Sequence, residues 1–235
     1  MNSTSSTSHT IPKVIIQTYS NKTKVPQKVF ENIQKFAPDF EHIIFDDNDC
    51  IQFLRDTYSE HFVTIFNSFP RGAHKSDFFR YCYLYIHGGY YLDIKIELIK
   101  NLNEIVLNDT FLYTVLSFNK NSLFQGILFC PPKLEIMKKA FNNMVETSTK
   151  RKNYQYNYFT IKLYDFVKTD VGTLELQPGL NEGKQYSYYL FKEECSQNAS
   201  DCYDGLDRHG LCCFSYNHQK EKNFKNRYAD FGRRW

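Results

Sequence analysis

The chain has 235 residues, 42% of them apolar and 23% charged, an ordinary balance for a soluble domain with a sizeable core. A formal net charge of +3 is too small to argue for nucleic acid, where a concentrated basic stripe is expected, and the densest basic run, Lys220 to Arg227, reads as a solvated helix face. No apolar run approaches the roughly 18–20 residues that span a bilayer, and the polar start has neither part of a signal peptide. Residues 1–10 are therefore expected as a disordered tail and residues 11–235 as one folded domain, soluble and cytoplasmic. The aromatic share of 17% reads as the coding bias of an AT-rich genome.

In chain order, the β-branched run Ile11 to Tyr19 predicts an opening strand. Val25, Val29, Ile33 and Phe36 recur at helical spacing. "FEHIIFDD" predicts a second strand, and "NDCIQFLRDTY" a helix capped by Asn48 or Asp49. Asp46, Asp47 and Asp49 lack the glycine and glutamate of a Ca²⁺ loop and read as that cap. Strand, helix, strand, helix within sixty residues indicates a mainly parallel α/β sheet. "AHKSDFFRYCYLYIHGG" predicts a helix with Ser76 or Asp77 near its start and Gly88-Gly89 as its stop.

"GGYYLDIKIELI" then reads as one strand, placing Asp93, Lys95 and Glu97 on one face. "FLYTVLSF" and "LFQGILFC" predict strands, "PPKLEIMKKAFNNMVETS" a helix with proline in its first turn, and "YNYFTIKLYDFVKT" a further helix. "TLELQP" and "QYSYYLF" predict the last clear strands.

Cys50, Cys82 and Cys130 stand in apolar contexts and read as small buried hydrophobes. Cys195, Cys202, Cys212 and Cys213 crowd one stretch without paired C-x-x-C knuckles, leaving free thiols, disulfides and a metal site all open. Asn198 sits in a glycosylation sequon that matters only in a secretory lumen. His74, His209 and His218 read as satisfied or surface histidines before they read as ligands.

Chemistry concentrates elsewhere. Asp77 and Arg80 lie three apart on one helix face, by default a surface ion pair. Here, however, the helix turns through Gly88-Gly89 straight into the strand bearing Asp93. Ligands of open α/β sheets bind at the carboxyl ends of strands. Two carboxylates and a guanidinium converging there can grip sugar hydroxyls.

These residues resemble a known family. "IPKVIIQTY" and the set Ser76, Asp77, Arg80, Tyr81, Leu84, Gly88, Gly89, Tyr91 and Asp93 resemble the two motifs of the DXD-motif sugar transferases of the Och1-like group. That group, the glycosyltransferase family 32 type, is also similar to the cores of the clostridial glucosylating toxins. The resemblance implies a GT-A fold and retaining transfer of a hexose from a UDP- or GDP-sugar to a glycan, lipid or protein acceptor. It further implies that Asp77 and Arg80 hold the donor sugar and that Tyr91 and Asp93 contact the nucleotide sugar. Asp93 would face the ribose and a Mn²⁺ or Mg²⁺ ion, with Gln17 and Tyr19 near the nucleobase. Compact relatives of this type occur in large DNA viruses.

Two departures matter. Ile16 and Tyr19 stand where the pattern has His and Trp, and Lys95 stands where it has its second acid. Three readings stay open for Lys95: metal bound with ligands from elsewhere, lysine acting on the diphosphate in the metal's place, or an altered site without turnover. Two rivals to the transferase also remain, a degenerate nucleotide-sugar-binding module and a nucleotide-sugar phosphohydrolase.

Overall fold

The structure is a computed structural model and describes residues 10–106, 108, 109, 111–150, 154–195, 201–206 and 214–217. The expectations for residues 1–9, for Asn198, His209, His218 and Lys220 to Arg227, and for the side chains of Cys195, Cys202, Cys212 and Cys213 lie outside the described residues.

The opening run forms β1 (Val14–Thr18), followed by a 3₁₀ turn (Lys22–Lys24), α1 (Gln27–Phe36) and β2 (Glu41–Phe45). Next come α2 (Asp47–Thr57), α3 (Glu60–Ser68) and α4 (Gly72–His87). The cap of α2 is Asp46: its carboxylate accepts from the amides of Asn48 and Asp49, and the Asp49 carboxylate accepts in turn from the Asp46 amide. Gly88 and Gly89 end α4 at φ 67° and 114°, backbone that side-chain-bearing residues rarely adopt. A Cβ on Gly88 would sit 2.7 Å from the Pro132 nitrogen, and one on Gly89 2.9 Å from the Val14 carbonyl. The glycine pair thus lets the chain reverse against β1.

The stretch from Gly89 to Leu98 is not one strand. β3 (Gly89–Leu92) stops where the Ile96 amide donates back to the Asp93 carbonyl at 2.8 Å, closing a four-residue turn, and β4 (Ile96–Leu98) starts beyond it. The expected alignment of Asp93, Lys95 and Glu97 on one face is therefore broken. The chain continues with α5 (Leu102–Ile105), β5 (Leu112–Leu116), β6 (Leu123–Cys130), α6 (Glu135–Lys150) and α7 (Tyr158–Val171). The prolines lie ahead of α6, where Pro132 packs on the Gly88 turn.

β7 (Gly179–Glu182), β8 (Ser187–Cys195), β9 (Asp201–Leu206) and β10 (Phe214–Asn217) complete the described elements. "TLELQP" is loop, because Thr173 and Asn181 side chains bond the backbone at Glu175 and Gln177 in place of a strand ladder.

The described strands form one sheet in the order β2-β1-β3-β6-β5-β8-β9-β10-β4, with β7 on β8. β1 pairs in parallel with β2 and β3, β5 in parallel with β8, and β6 runs against both β3 and β5. Five of the six central strands thus share one direction, the mainly parallel α/β sheet expected. Alternate residues feed two cores: Leu128 and Cys130 face α2, α3, α4, α6 and α7, while Ile127 and Phe129 face α1 and α5. Cys50, Cys82 and Cys130 are buried free thiols. No described helix is long and apolar enough to cross a membrane.

β3 and β4 are six places apart in the sheet order, about 29 Å if the sheet were flat. The turn joining them spans at most about 14 Å. The sheet must therefore curl until its β10-β4 edge returns to the end of β3.

Candidate active site

At that end stands Arg80, 3% exposed on the inner face of α4. Its Nε donates to the Ser76 carbonyl at 3.3 Å and its Nη1 to the Gln125 carbonyl. Its Nη2 lies 3.2 Å from Asp77 Oδ1 and 3.2 Å from Asp93 Oδ1. The guanidinium also rests 4.0 Å from the centroid of the Tyr91 ring, a cation–π contact. Tyr91 in turn donates to Asp93 Oδ1 at 2.9 Å. With its proton so used, the Tyr91 oxygen accepts from the Thr18 and Ser76 hydroxyls, at 3.0 and 2.8 Å. Asp77, Arg80, Tyr91 and Asp93 are thus brought together around one guanidinium.

Burial pushes the Asp77 carboxyl up to about 6, against the pull of Arg80 and with a further push from Asp93. Asp93 is the more open acid, its side chain 30% exposed. Its amide donates to the Gly126 carbonyl at 2.7 Å, and its Oδ2 faces Gly126, where a Cβ would come within 2.8 Å. Lys95, half-buried in the turn, has its ammonium pushed down to about 8 by burial, while Asp93 raises it.

The other expected residues divide. Gln17 is fully buried; its Nε2 reaches the Asp93 carbonyl at 3.5 Å and its Oε1 accepts from His42 Nε2 at 2.8 Å. It braces the turn from below. Tyr19 follows β1 half-buried, its amide on the Phe45 carbonyl at 3.0 Å. Glu97 points elsewhere, with Oε1 3.7 Å from Lys28 Nζ on α1. His74 is buried and donates from Nε2 to the Tyr156 carbonyl at 3.0 Å, so its role is structural.

Sequence reasoning missed Thr18, Gln125 and Gly126. Gln125 is 2% exposed, and neither atom of its amide finds a partner among the described residues. The signal was a polar residue and a glycine side by side inside the apolar run "LFQGILFC". Tyr156 was missed too. Its carbonyl accepts from His74 Nε2, and the Arg71 guanidinium lies 5.3 Å from its ring centroid.

The acids among the described residues do not form a carboxylate cluster for a divalent cation. Mg²⁺ takes about six oxygens, commonly from one or two carboxylates beside waters and substrate phosphates. Asp93 Oδ1 already accepts from Arg80 and Tyr91, Lys95 stands at the second acid's place, and Glu97 turns to Lys28. No cluster of three His, Cys, Asp or Glu side chains suited to a metal occurs among the described residues.

The mainly parallel sheet with a charged constellation at its strand ends is similar to the GT-A class of glycosyltransferase fold. The chain is similar in fold to the solved PaToxG glycosyltransferase, with a TM-score of 0.54 and 13% identity over 70% of each chain. Residues 23–112, which carry the α4–β3 constellation, match the family described as the glycosyltransferase sugar-binding region containing a DXD motif. Gln17 and Tyr19 precede the matched segment.

Among curated proteins the chain is similar to an uncharacterized glycosyltransferase of Acanthamoeba polyphaga mimivirus, 28% identical over 57% of this chain and 55% of that one. It is also similar to inositol phosphoceramide mannosyltransferase 3 of Schizosaccharomyces pombe, 31% identical over 43% of this chain and 29% of that one. The chain therefore spans about half of the viral relative and under a third of the yeast one.

Proposed function

We propose that the chain is a retaining glycosyltransferase that moves a hexose from a UDP- or GDP-sugar to a glycan, lipid or protein acceptor. The observation that carries this reading is the Asp77–Arg80–Asp93 constellation, built from a family-matched segment at the strand ends. Asp77 and Arg80 take the donor sugar's hydroxyls, since both carry charged hydrogen-bonding groups at the site. Asp93, the open acid beside them, takes the ribose. A mannosyltransferase among the relatives favours mannose as the hexose.

Transfer of this kind leans on holding the donor in a reactive geometry and stabilising the departing diphosphate, and no general base is assigned. Arg80 fixes both acids through one guanidinium, so donor contacts are organised before the donor arrives.

The test is release of UDP or GDP from a panel of nucleotide hexoses, with and without candidate acceptors. Turnover that disappears in Asp93→Ala supports the reading; no turnover with any common donor sinks it. Lys95 at the second acid's place favours one alternative, a module that binds donor without transfer. Binding of the same donors by calorimetry without nucleotide release would identify that module.

A further inference from the structure

We propose that this chain neutralises the diphosphate of its donor with the ammonium of Lys95, which does electrostatically what a divalent cation does in its DXD relatives. The inference rests on the donor reading above and adds how that donor's charge is met.

Charge comes first. With an acid at position 95, Asp77, Arg80, Asp93 and that acid would sum to −2, a deficit that one divalent cation cancels. With Lys95 the same four positions sum to zero. Exchanging an acid for a lysine changes the site by +2, the charge of the ion itself. The protein carries in covalent form the charge that its relatives borrow from solution.

Geometry agrees. Asp93 Oδ1 is held by Arg80 Nη2 at 3.2 Å and Tyr91 Oη at 2.9 Å, so this oxygen already has its cation and its proton donor. Glu97, the next acid along, is carried by β4 to Lys28 and away from Asp93. Lys95 instead sits inside the Asp93–Ile96 turn, half-buried and two residues from Asp93. That turn is pinned at the Asp93 carbonyl by the Ile96 amide and the Gln17 side chain, so the lysine's root is fixed at the strand end. A lysine offers three donors on a compact charge, suited to the several oxygens of a diphosphate. Placed where negative charge grows on the leaving group, it stabilises departure.

Calorimetric titration of the full chain with UDP and with GDP, in EDTA and again in Mn²⁺, tests this directly. The wild type is expected to bind one nucleotide with affinities in EDTA and Mn²⁺ that agree within about two-fold. K95A should bind at least ten-fold more weakly in both conditions, K95R should keep most of the affinity, and K95D should bind only when Mn²⁺ is present. Thermal melts of each variant establish that it is folded before titration. Wild-type binding lost in EDTA and restored by Mn²⁺ overturns the inference and leaves the transferase reading standing. Unchanged binding by folded K95A also overturns it. Failure of the wild type to bind either nucleotide in any condition overturns both readings together.

Discussion

Arg80 and Tyr91 stack at 4.0 Å and donate to the same oxygen of Asp93, so one contact sets the position of both the cation and the acid. A lysine at position 80 could keep the charge but not reach the Ser76 and Gln125 carbonyls and both carboxylates at once. Arg80→Met, which removes the charge altogether, is expected to cost about 3–5 kcal/mol, the range for a buried pair that loses one partner. Tyr91→Phe keeps the ring and deletes one hydroxyl, and should cost about 1–2 kcal/mol. Urea unfolding of the two variants checks the order; a costlier Tyr91→Phe would mean that the hydroxyl chain, and not the guanidinium, holds the site together.

Asp77 predicts a pH dependence. Its folded carboxyl titrates near 6 because burial disfavours its charge, whereas the unfolded value is close to 3.8. The protonated folded form is favoured, so this group's contribution is complete below the unfolded value and fades as pH rises towards 6. A shift of about two units corresponds to roughly 3 kcal/mol. Denaturant midpoints measured between pH 4 and 7 should therefore fall less steeply with pH in Asp77→Asn than in the wild type. Parallel profiles would contradict the assignment.

Gly126 gives a test of placement without charge. An added Cβ would meet Phe124 Cζ at 2.4 Å and Asp93 Oδ2 at 2.8 Å. The phenyl ring can swing aside, but the carboxylate is tied to Arg80 and Tyr91. Gly126→Ala should weaken nucleotide-sugar binding at least ten-fold while shifting the melting temperature by only a few degrees. Normal donor affinity in this variant would show that Asp93 does not touch the ligand.

Glu97 supplies the opposite control. Its pair with Lys28 is exposed, and such pairs contribute about 0–1 kcal/mol. Glu97→Ala should leave donor binding and turnover unchanged, where Asp93→Ala abolishes both. Loss of turnover in Glu97→Ala would mean that the two acids act as a pair after all.

The constellation was legible because its parts lie on regular elements. Asp77 and Arg80 share a face of α4 by the helical period, and Gly88-Gly89 announced the reversal into β3. The turn at Asp93 was not legible, since "LDIKIEL" alternates as well as any strand does and only the competing partner β10 shows where β4 belongs. Gln125 and Thr18 escaped for a related reason. Their meaning comes from neighbours on distant segments: Thr18 touches Ser76 and Tyr91, and the Gln125 carbonyl meets Arg80.

β4 hydrogen-bonds to β10, a strand that lies more than a hundred residues further along the chain. The Asp93–Ile96 turn is therefore anchored on its β3 side early and on its β4 side only after the chain's last described strand arrives. Pairings of such long sequence separation form slowly, because loop closure precedes their reward. During synthesis the motif helix and β3 can be in place while the Asp93–Ile96 turn is still unfinished, so the site proposed to bind donor should be among the last parts of the chain to form.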